Sequence, residues 1–311
     1  MTSFGYQVLG FGVGGSAAGG PIQKAIFAYG TTGSYTNVSN LVSSAGVVAT
    51  DTTGVGTARY QLGGATYGLD KAIFAYGYEN LSMRNLVSNL GVVGTDLTGA
   101  GTGRSALAAT GYGSTGQAIF GFGDIYGGPL VSTTNLVTNL GVIGTDVTGV
   151  GTARYGLTAT GYGEDKAIFG FGFKVGGTEW VSTTNLVTNV GVVGTDVTGV
   201  GTIRYNLAAA GYGTDKAIFA YGYNSSGRVS MSNLVSNVGV VATDVTGVGT
   251  ARNSCGGSEY GADKAIIGYG STGSNVSMTN LITNVGVVGT DVTGVGTSRQ
   301  GLSAAGYSTS A

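Results

Sequence analysis

The sequence predicts an all-β fold, a six-bladed β-propeller of four-stranded blades, on three observations. A phrase close to Lys-Ala-Ile-Phe-Gly-Phe-Gly recurs six times, starting at Lys24, Lys71, Gln117, Lys166, Lys216 and Lys264, 46 to 50 residues apart. No stretch of ten or more residues carries the 3.6-residue periodicity of an amphipathic helix. The chain opens just before one such phrase and stops just after a different one, as if a closed circle had been cut between two strands.

The four strands of each repeat follow from four phrases. The Lys-Ala-Ile-Phe phrase supplies one, at its six starting positions. The second is Asn-Leu-Val-Ser/Thr-Asn, at Asn85, Asn135, Asn185, Asn233 and Asn280, with a degenerate copy at Asn40. The third, Gly-Val-Val-Gly-Thr-Asp-Val-Thr-Gly-Val-Gly-Thr, has its aspartates at Asp51, Asp96, Asp146, Asp196, Asp244 and Asp291. The fourth opens with arginine, at Arg59, Arg104, Arg154, Arg204, Arg252 and Arg299. Each is rich in Val, Ile, Phe, Tyr and Thr and bounded by Gly, Asn, Asp or Ser, which is strand-and-turn chemistry. Four short strands in about 48 residues match one propeller blade, and six copies lie within the usual four to eight blades.

The rival fold is a β-solenoid. The chain ends argue for the ring. The last arginine phrase, 299–307, is expected to join the first sheet and hide an edge that invites aggregation. Residues 13–20 resemble a decayed arginine phrase without its Arg or Tyr and compete for that slot. With the closing strand at 299–307, residues 1–20 form a Gly-rich arm and 21–311 the propeller.

The order Arg-x-x-x-x-Ala-x-x-Tyr, then Lys-Ala-Ile-Phe-x-Tyr/Phe-Gly, then a variable loop, then a short polar-ended strand, resembles the kelch repeat over residues 24–307. The resemblance implies kelch-like blades with the arginines at one mouth of a central channel. The near-identical Gly-, Thr-, Ser- and Asn-rich copies also resemble structural proteins of bacteriophage virions, fibres above all.

Composition narrows the function. Glycine numbers 62, near one residue in five against a usual ~7%. Charged residues make up 9%, against ~25% in an average protein. With 14 basic and 15 acidic residues the net charge is −1, so no field draws in nucleic acid. Apolar residues reach 42% and fall in short regular runs, which argues for a core and against disorder. The single cysteine, Cys255, excludes an internal disulfide and reads as a small core filler. The lack of histidine removes the commonest general base and metal ligand, so no metal or cofactor is expected. No signal peptide and no membrane-length apolar run are seen, which fits a virion protein released by lysis.

Binding candidates fall into two groups. The first is the arginine of every repeat, Arg59, Arg104, Arg154, Arg204, Arg252 and Arg299. Six guanidinia around a mouth could grip carboxylates, sulfates or phosphates, or each could pair with an aspartate or with turn carbonyls in its own or the next repeat. The repeat aspartates read as turn formers. The second group lies in the loops after the Lys-Ala-Ile-Phe phrase, which vary from 7 to 12 residues while the scaffold stays constant. Two of them carry Trp180 beside Glu179, and Tyr126. The expectation is a non-enzymatic structural or adhesive virion protein that binds other virion proteins or a host-surface glycan or protein. The alternatives are a free carbohydrate- or protein-binding propeller and, remotely, a glycoside-acting enzyme, which needs no more than two carboxylates.

Overall fold

Apolar β-branched and aromatic residues broken every five to nine positions by glycine or asparagine give short strands. The computed structural model describes residues 22–174 and 179–309; the expected arm at 1–20 lies outside them. The strands run, in chain order, β1 (Lys24–Ala28), β2 (Ser39–Val42), β3 (Gly63–Tyr67), β4 (Lys71–Gly77), β5 (Leu81–Val87), β6 (Ala108–Tyr112), β7 (Gln117–Asp124) and β8 (Leu130–Val137). They continue with β9 (Thr158–Tyr162), β10 (Lys166–Lys174), β11 (Glu179–Val187), β12 (Ala208–Tyr212), β13 (Lys216–Ala220), β14 (Tyr223–Asn224) and β15 (Gly227–Arg228). The last are β16 (Ser232–Val235), β17 (Gly256–Tyr260), β18 (Lys264–Gly268), β19 (Thr279–Ile282) and β20 (Ser303–Tyr307). No helix occurs among the described residues.

Six sheets have three antiparallel strands, each with a Lys-Ala-Ile-Phe strand in the middle: β3-β4-β5, β6-β7-β8, β9-β10-β11, β12-β13-β16, β17-β18-β19 and β20-β1-β2. A seventh is the small ribbon β14-β15. β20 pairs with β1 from Lys24↔Tyr307 to Ala28↔Ser303. The first strands of the sheets touch in sequence, β3 with β6, β6 with β9, β9 with β12, β12 with β17, β17 with β20, and β20 with β3.

The architecture is propeller-like and all-β, but the expected six-bladed propeller of four-stranded kelch-like blades is corrected. Among the described residues the sheets are seven, of two or three strands, and none closes or curls on itself. The Gly-Val-Val phrase supplies no fourth strand. It touches its neighbour through isolated bridges, Val87↔Val93 and Arg84↔Leu97 in the second copy and their equivalents elsewhere. The physical reason lies in the Gly-Thr-Asp between those bridges. Glycine and aspartate disfavour the pleat, and Asp96 turns its carboxylate back toward Thr57 and Asn85. An irregular edge of this kind also resists pairing with another chain.

The core lies between sheets. Ile26, Phe27, Ile73, Phe74, Ile119 and Phe120 are among the middle-strand side chains with no exposure. Burying each such side chain is worth roughly 1.5–3 kcal/mol. Rings of adjacent sheets interlock: Phe27 on Tyr269 at 5.1 Å, Tyr29 on Phe74 at 5.7 Å, Tyr76 on Phe120 at 5.3 Å, Phe122 on Phe169 at 5.2 Å. The last aromatic of each middle phrase, from Tyr29 (φ 64°) to Tyr269 (φ 62°), sits in the left-handed region. In three sheets the ladder register shifts at this residue.

Antiparallel pairing sorts the connections to two ends. The hairpins before the middle strands and the turns after the third strands share one end. There Asn189 in a turn donates to Asp165 in a hairpin at 3.0 Å, and Asn284 donates to Asp263 at 3.1 Å. The variable loops and the arginine phrases lie at the other end.

Candidate ligand-binding mouth

The arginines are the first site residues to place. Arg59 is 1% exposed, and Arg104, Arg154, Arg204, Arg252 and Arg299 are 0% exposed. Each is a wedge between two sheets. In the fourth copy Arg154 Nε donates to the Phe171 carbonyl at 2.9 Å, Nη1 to the Thr152 carbonyl at 3.1 Å and Nη2 to Asn185 Oδ1 at 2.6 Å. Its guanidinium lies 4.3 Å from the centroid of Phe122, in the preceding sheet. Asn185 Nδ2 donates in turn to Asp196 at 2.9 Å, and Asp196 accepts from the Thr152 hydroxyl at 2.6 Å. Arg154 and Asp196 stand 3.9 Å apart.

Burial pulls the Arg154 and Arg204 guanidinia down to about 10, with Asp196 and Asp244 opposing, so both stay charged at neutral pH. Burial alone would raise Asp196. Hydrogen bonds from Thr152 and Asn185, and the Arg154 charge, outweigh it and hold the carboxyl below its ordinary range. The arginines therefore take the internal pairing that was the alternative to a ligand-gripping ring. The guanidinia are enclosed, and their donors go to backbone carbonyls and, in every copy but that of Arg299, to an Asn side chain that sequence spacing alone did not bring together.

The loop residues have mixed positions. Tyr126 is 55% exposed, and its backbone is held by Asn80, which accepts from its N–H at 2.7 Å. Trp180 packs edge-on to Phe173 at 5.7 Å, and its indole N–H is buried without a hydrogen-bond partner. Glu179 is exposed and pairs with Lys174 at 2.6 Å.

The structure adds residues that sequence reasoning passed over. Tyr35 stacks on Tyr60 at 5.0 Å, Tyr60 meets Tyr78 at 5.0 Å, and Tyr78 meets Tyr126 at 5.0 Å. This first arc runs across three sheets. A second arc comprises Tyr155, Phe173, Tyr205 and Tyr223, with neighbouring centroids 5.4 to 6.0 Å apart. Arg228 lies 5.7 Å above Tyr223 and donates to Asn253 Oδ1 at 3.2 Å. The signal was present in two places. Arg-Tyr occurs at Arg59-Tyr60, Arg154-Tyr155 and Arg204-Tyr205, and an aromatic follows the middle-phrase glycine at Tyr78, Phe173 and Tyr223. Folding pairs these positions: Tyr78 donates its N–H to the Tyr60 carbonyl, and Tyr155↔Phe173 and Tyr205↔Tyr223 form bridges. The equivalent positions in other copies are polar, as in Ser105↔Asp124 and Asn253↔Ser271.

A cavity of about 320 Å³ opens between the sheets on this side, with Tyr60, Gln61, Asn206, Asn253 and Gln300 in its lining. Six peptide groups encircle it. Gln61 donates to Gly301, Ala106 to Gln61, Gly156 to Ala106, Asn206 to Gly156, Ser254 to Asn206 and Gly301 to Ser254, at 2.6 to 3.0 Å. All six residues have positive φ. Partial burial and the Tyr126 hydroxyl push Tyr78 up to about 12, and partial burial raises Asp124. Arcs of half-exposed aromatic rings beside amides and hydroxyls can stack on a flat apolar face and bond its polar edge.

No protein-family model matches the chain, and no curated protein matches it. Among solved structures it is similar to that of YjhT, at 10% identity and a TM-score of 0.55, over 72% of this chain and 82% of that one. At that identity the likeness concerns the fold alone. No helix among the described residues is long and apolar enough to cross a membrane.

Proposed function

We propose that this chain is a non-enzymatic attachment protein of a phage particle, which engages a surface glycan or protein through the aromatic mouth. The observation that carries the reading is the division of labour between the two kinds of residue. The charges that recur in every copy are spent inside the fold, in five copies on Arg–Asn–Asp networks and at Arg299 on backbone carbonyls. The residues that differ from copy to copy collect at one end, and there they are aromatic. Tyr35 and Tyr126 stand 42% and 55% exposed, on a scaffold that gives them fixed spacing. The charges that border the arcs are of both signs, Glu79 at Tyr35, Arg228 over Tyr223 and the Lys174–Glu179 pair, which suits a neutral sugar or a polar peptide better than an anion.

The test is a glycan array and a binding screen against whole host cells, with the double variant Tyr78→Ala/Tyr126→Ala as control. Binding by the parent chain that drops at least about tenfold in the variant, with an unchanged thermal midpoint, is the expected result. A parent chain that binds no glycan and no cell ends the attachment reading. Immunolabelling of purified phage particles tests the location, and label absent from every particle ends the virion reading.

A further inference from the structure

The end of the molecule opposite the mouth carries a feature that attachment does not use. Five of the six turns after a third strand have the form Asn-Val/Leu-Gly-Val, the first being Ser44-Ala45-Gly46-Val47, and their aliphatic side chains point into solvent. Leu140 and Val142 are 77% and 51% exposed, Val190 and Val192 are 69% and 60%, and Val238 and Val240 are 70% and 63%. The other copies repeat the pattern, as Leu90 (66%) and Val285 (68%) show; in the first, Ala45 takes the place of the first aliphatic residue. Eleven large aliphatic side chains between 51% and 77% exposed thus ring one end. Turn positions ordinarily take polar residues. Exposed leucine or valine scattered singly calls for no explanation, but a repeated ring does.

The turns are rigid supports. In the third copy the Thr138 hydroxyl accepts from the N–H groups of Leu140 and Val142, at 3.3 and 3.2 Å. Gly141 has φ 77° and packs against the Tyr67 ring of the preceding sheet.

Charge on this end is self-complementary. Inside the aliphatic ring, each hairpin of four copies presents a lysine beside its own aspartate: Asp70–Lys71, Asp165–Lys166, Asp215–Lys216 and Asp263–Lys264, at 2.5 to 3.1 Å. The lysines are 40% to 46% exposed. A partner of one sign would meet repulsion as often as attraction. A surface with the same alternation, turned about a two-fold axis, sets lysine against aspartate. A net charge of −1 adds no long-range repulsion between copies. A stable interface takes about 800 Å² per partner, a scale that eleven protruding aliphatic side chains and four ion pairs on one end can meet.

We infer that this end is the interface with a second copy of the same chain, joined back to back so that both aromatic mouths face outward. The contact is isologous, so residues near the axis meet their own equivalents.

Sedimentation velocity and light scattering on the full chain test it. The expected species at micromolar concentration is twice the 30.8 kDa chain, and added sodium sulfate strengthens it, as apolar burial requires. The variant Leu140→Lys/Val190→Lys buries like charges against each other and raises the dimer Kd by about two orders of magnitude. Tyr126→Ser, at the opposite end, leaves it unchanged. Should the double variant fail to fold, hydrogen exchange on the parent chain replaces it. Amides of residues 138–142 and 188–192 then gain protection as concentration rises. A parent chain that stays monomeric throughout, a dimer untouched by the two lysines, or turn amides indifferent to concentration overturns the inference.

Discussion

Arg154 makes the residue-scale logic concrete. Its guanidinium meets two backbone carbonyls and one amide oxygen from separate phrases, and one ring from the preceding sheet. Arg154→Met leaves Asn185 Oδ1 and the Phe171 carbonyl buried without that donor. Breaking a buried charge network by removing one partner costs about 3–5 kcal/mol. Urea denaturation is expected to show a loss of that size, while Arg228→Met, at a half-buried surface arginine, changes stability by less than about 1 kcal/mol. Four tyrosines set a second expectation. Burial pushes Tyr29, Tyr76, Tyr221 and Tyr269 from 10.0 up to about 12, against the opposing charge of a nearby arginine. Their hydroxyls donate to backbone carbonyls, that of Tyr76 to Ala100 at 3.0 Å. A raised folded-state value favours folding fully below pH 10, and the contribution is lost as pH rises through 12. Thermal midpoints should hold up to about pH 10 and then fall, and Tyr76→Phe should blunt the fall. The aspartates work the other way. Depressed below 3.8, Asp96, Asp146 and Asp196 contribute stability above that pH and lose it as pH falls through their lower folded values. The arginines also show how far a linear chain can be read. Arginine and aspartate in every repeat left anion recognition and internal pairing both open, and the folded positions of Asn185 and the Phe122 ring add partners that spacing alone did not name.

At the scale of elements, the middle strands are the most legible part of the sequence. Lys-Ala-Ile-Phe alternates little and is apolar throughout, because these strands are covered on both faces; β1, β4, β7, β10, β13 and β18 begin where the phrase does. The Gly-Val-Val phrase deceived because its valines and threonines satisfy a strand's composition. The glycines at its second and third turns decide otherwise, and its contact shrinks to bridges such as Thr184↔Val197. The tyrosine arcs were illegible for a different reason. Tyr60 and Tyr78 lie 18 positions apart, and only the bulge at Tyr76, where the ladder shifts between Ala75 and Gly77, turns the following side chain toward the mouth. β20 is the element whose loss should tell most. It covers one edge of β1, with Ile26↔Ala305 at its centre. Ending the chain after Leu302 bares that edge and uncovers Tyr29 and Phe74, which pack in the same apolar cluster as Ala305 and Tyr307. Loss of a single cooperative thermal transition, with aggregation on concentration, is the expected outcome in calorimetry and light scattering.

At the scale of the molecule, the sheets differ little in how they hold their neighbours. Gly30 donates to the Arg59 carbonyl, Gly77 to Arg104, Gly123 to Arg154, Gly172 to Arg204, Gly222 to Arg252 and Gly270 to Arg299, at 2.9 to 3.1 Å. With Tyr307 opposite Lys24, a short linker from residue 309 to residue 22 should permit new ends between Glu164 and Asp165. That circular permutant is expected to fold, with a thermal midpoint within a few degrees of the parent. A permutant that fails to fold would mean that the β20–β1 pairing is not interchangeable with the connected hairpins. The belt of peptide groups around the mouth cavity has a kinetic corollary. A linear ladder frays from its tips, whereas the amides of Gln61, Ala106, Gly156, Asn206, Ser254 and Gly301 each lean on the next, and no member is the last. Their exchange with deuterated solvent should be slow and nearly synchronous, in the part of the molecule where glycine and open water would otherwise make it fastest.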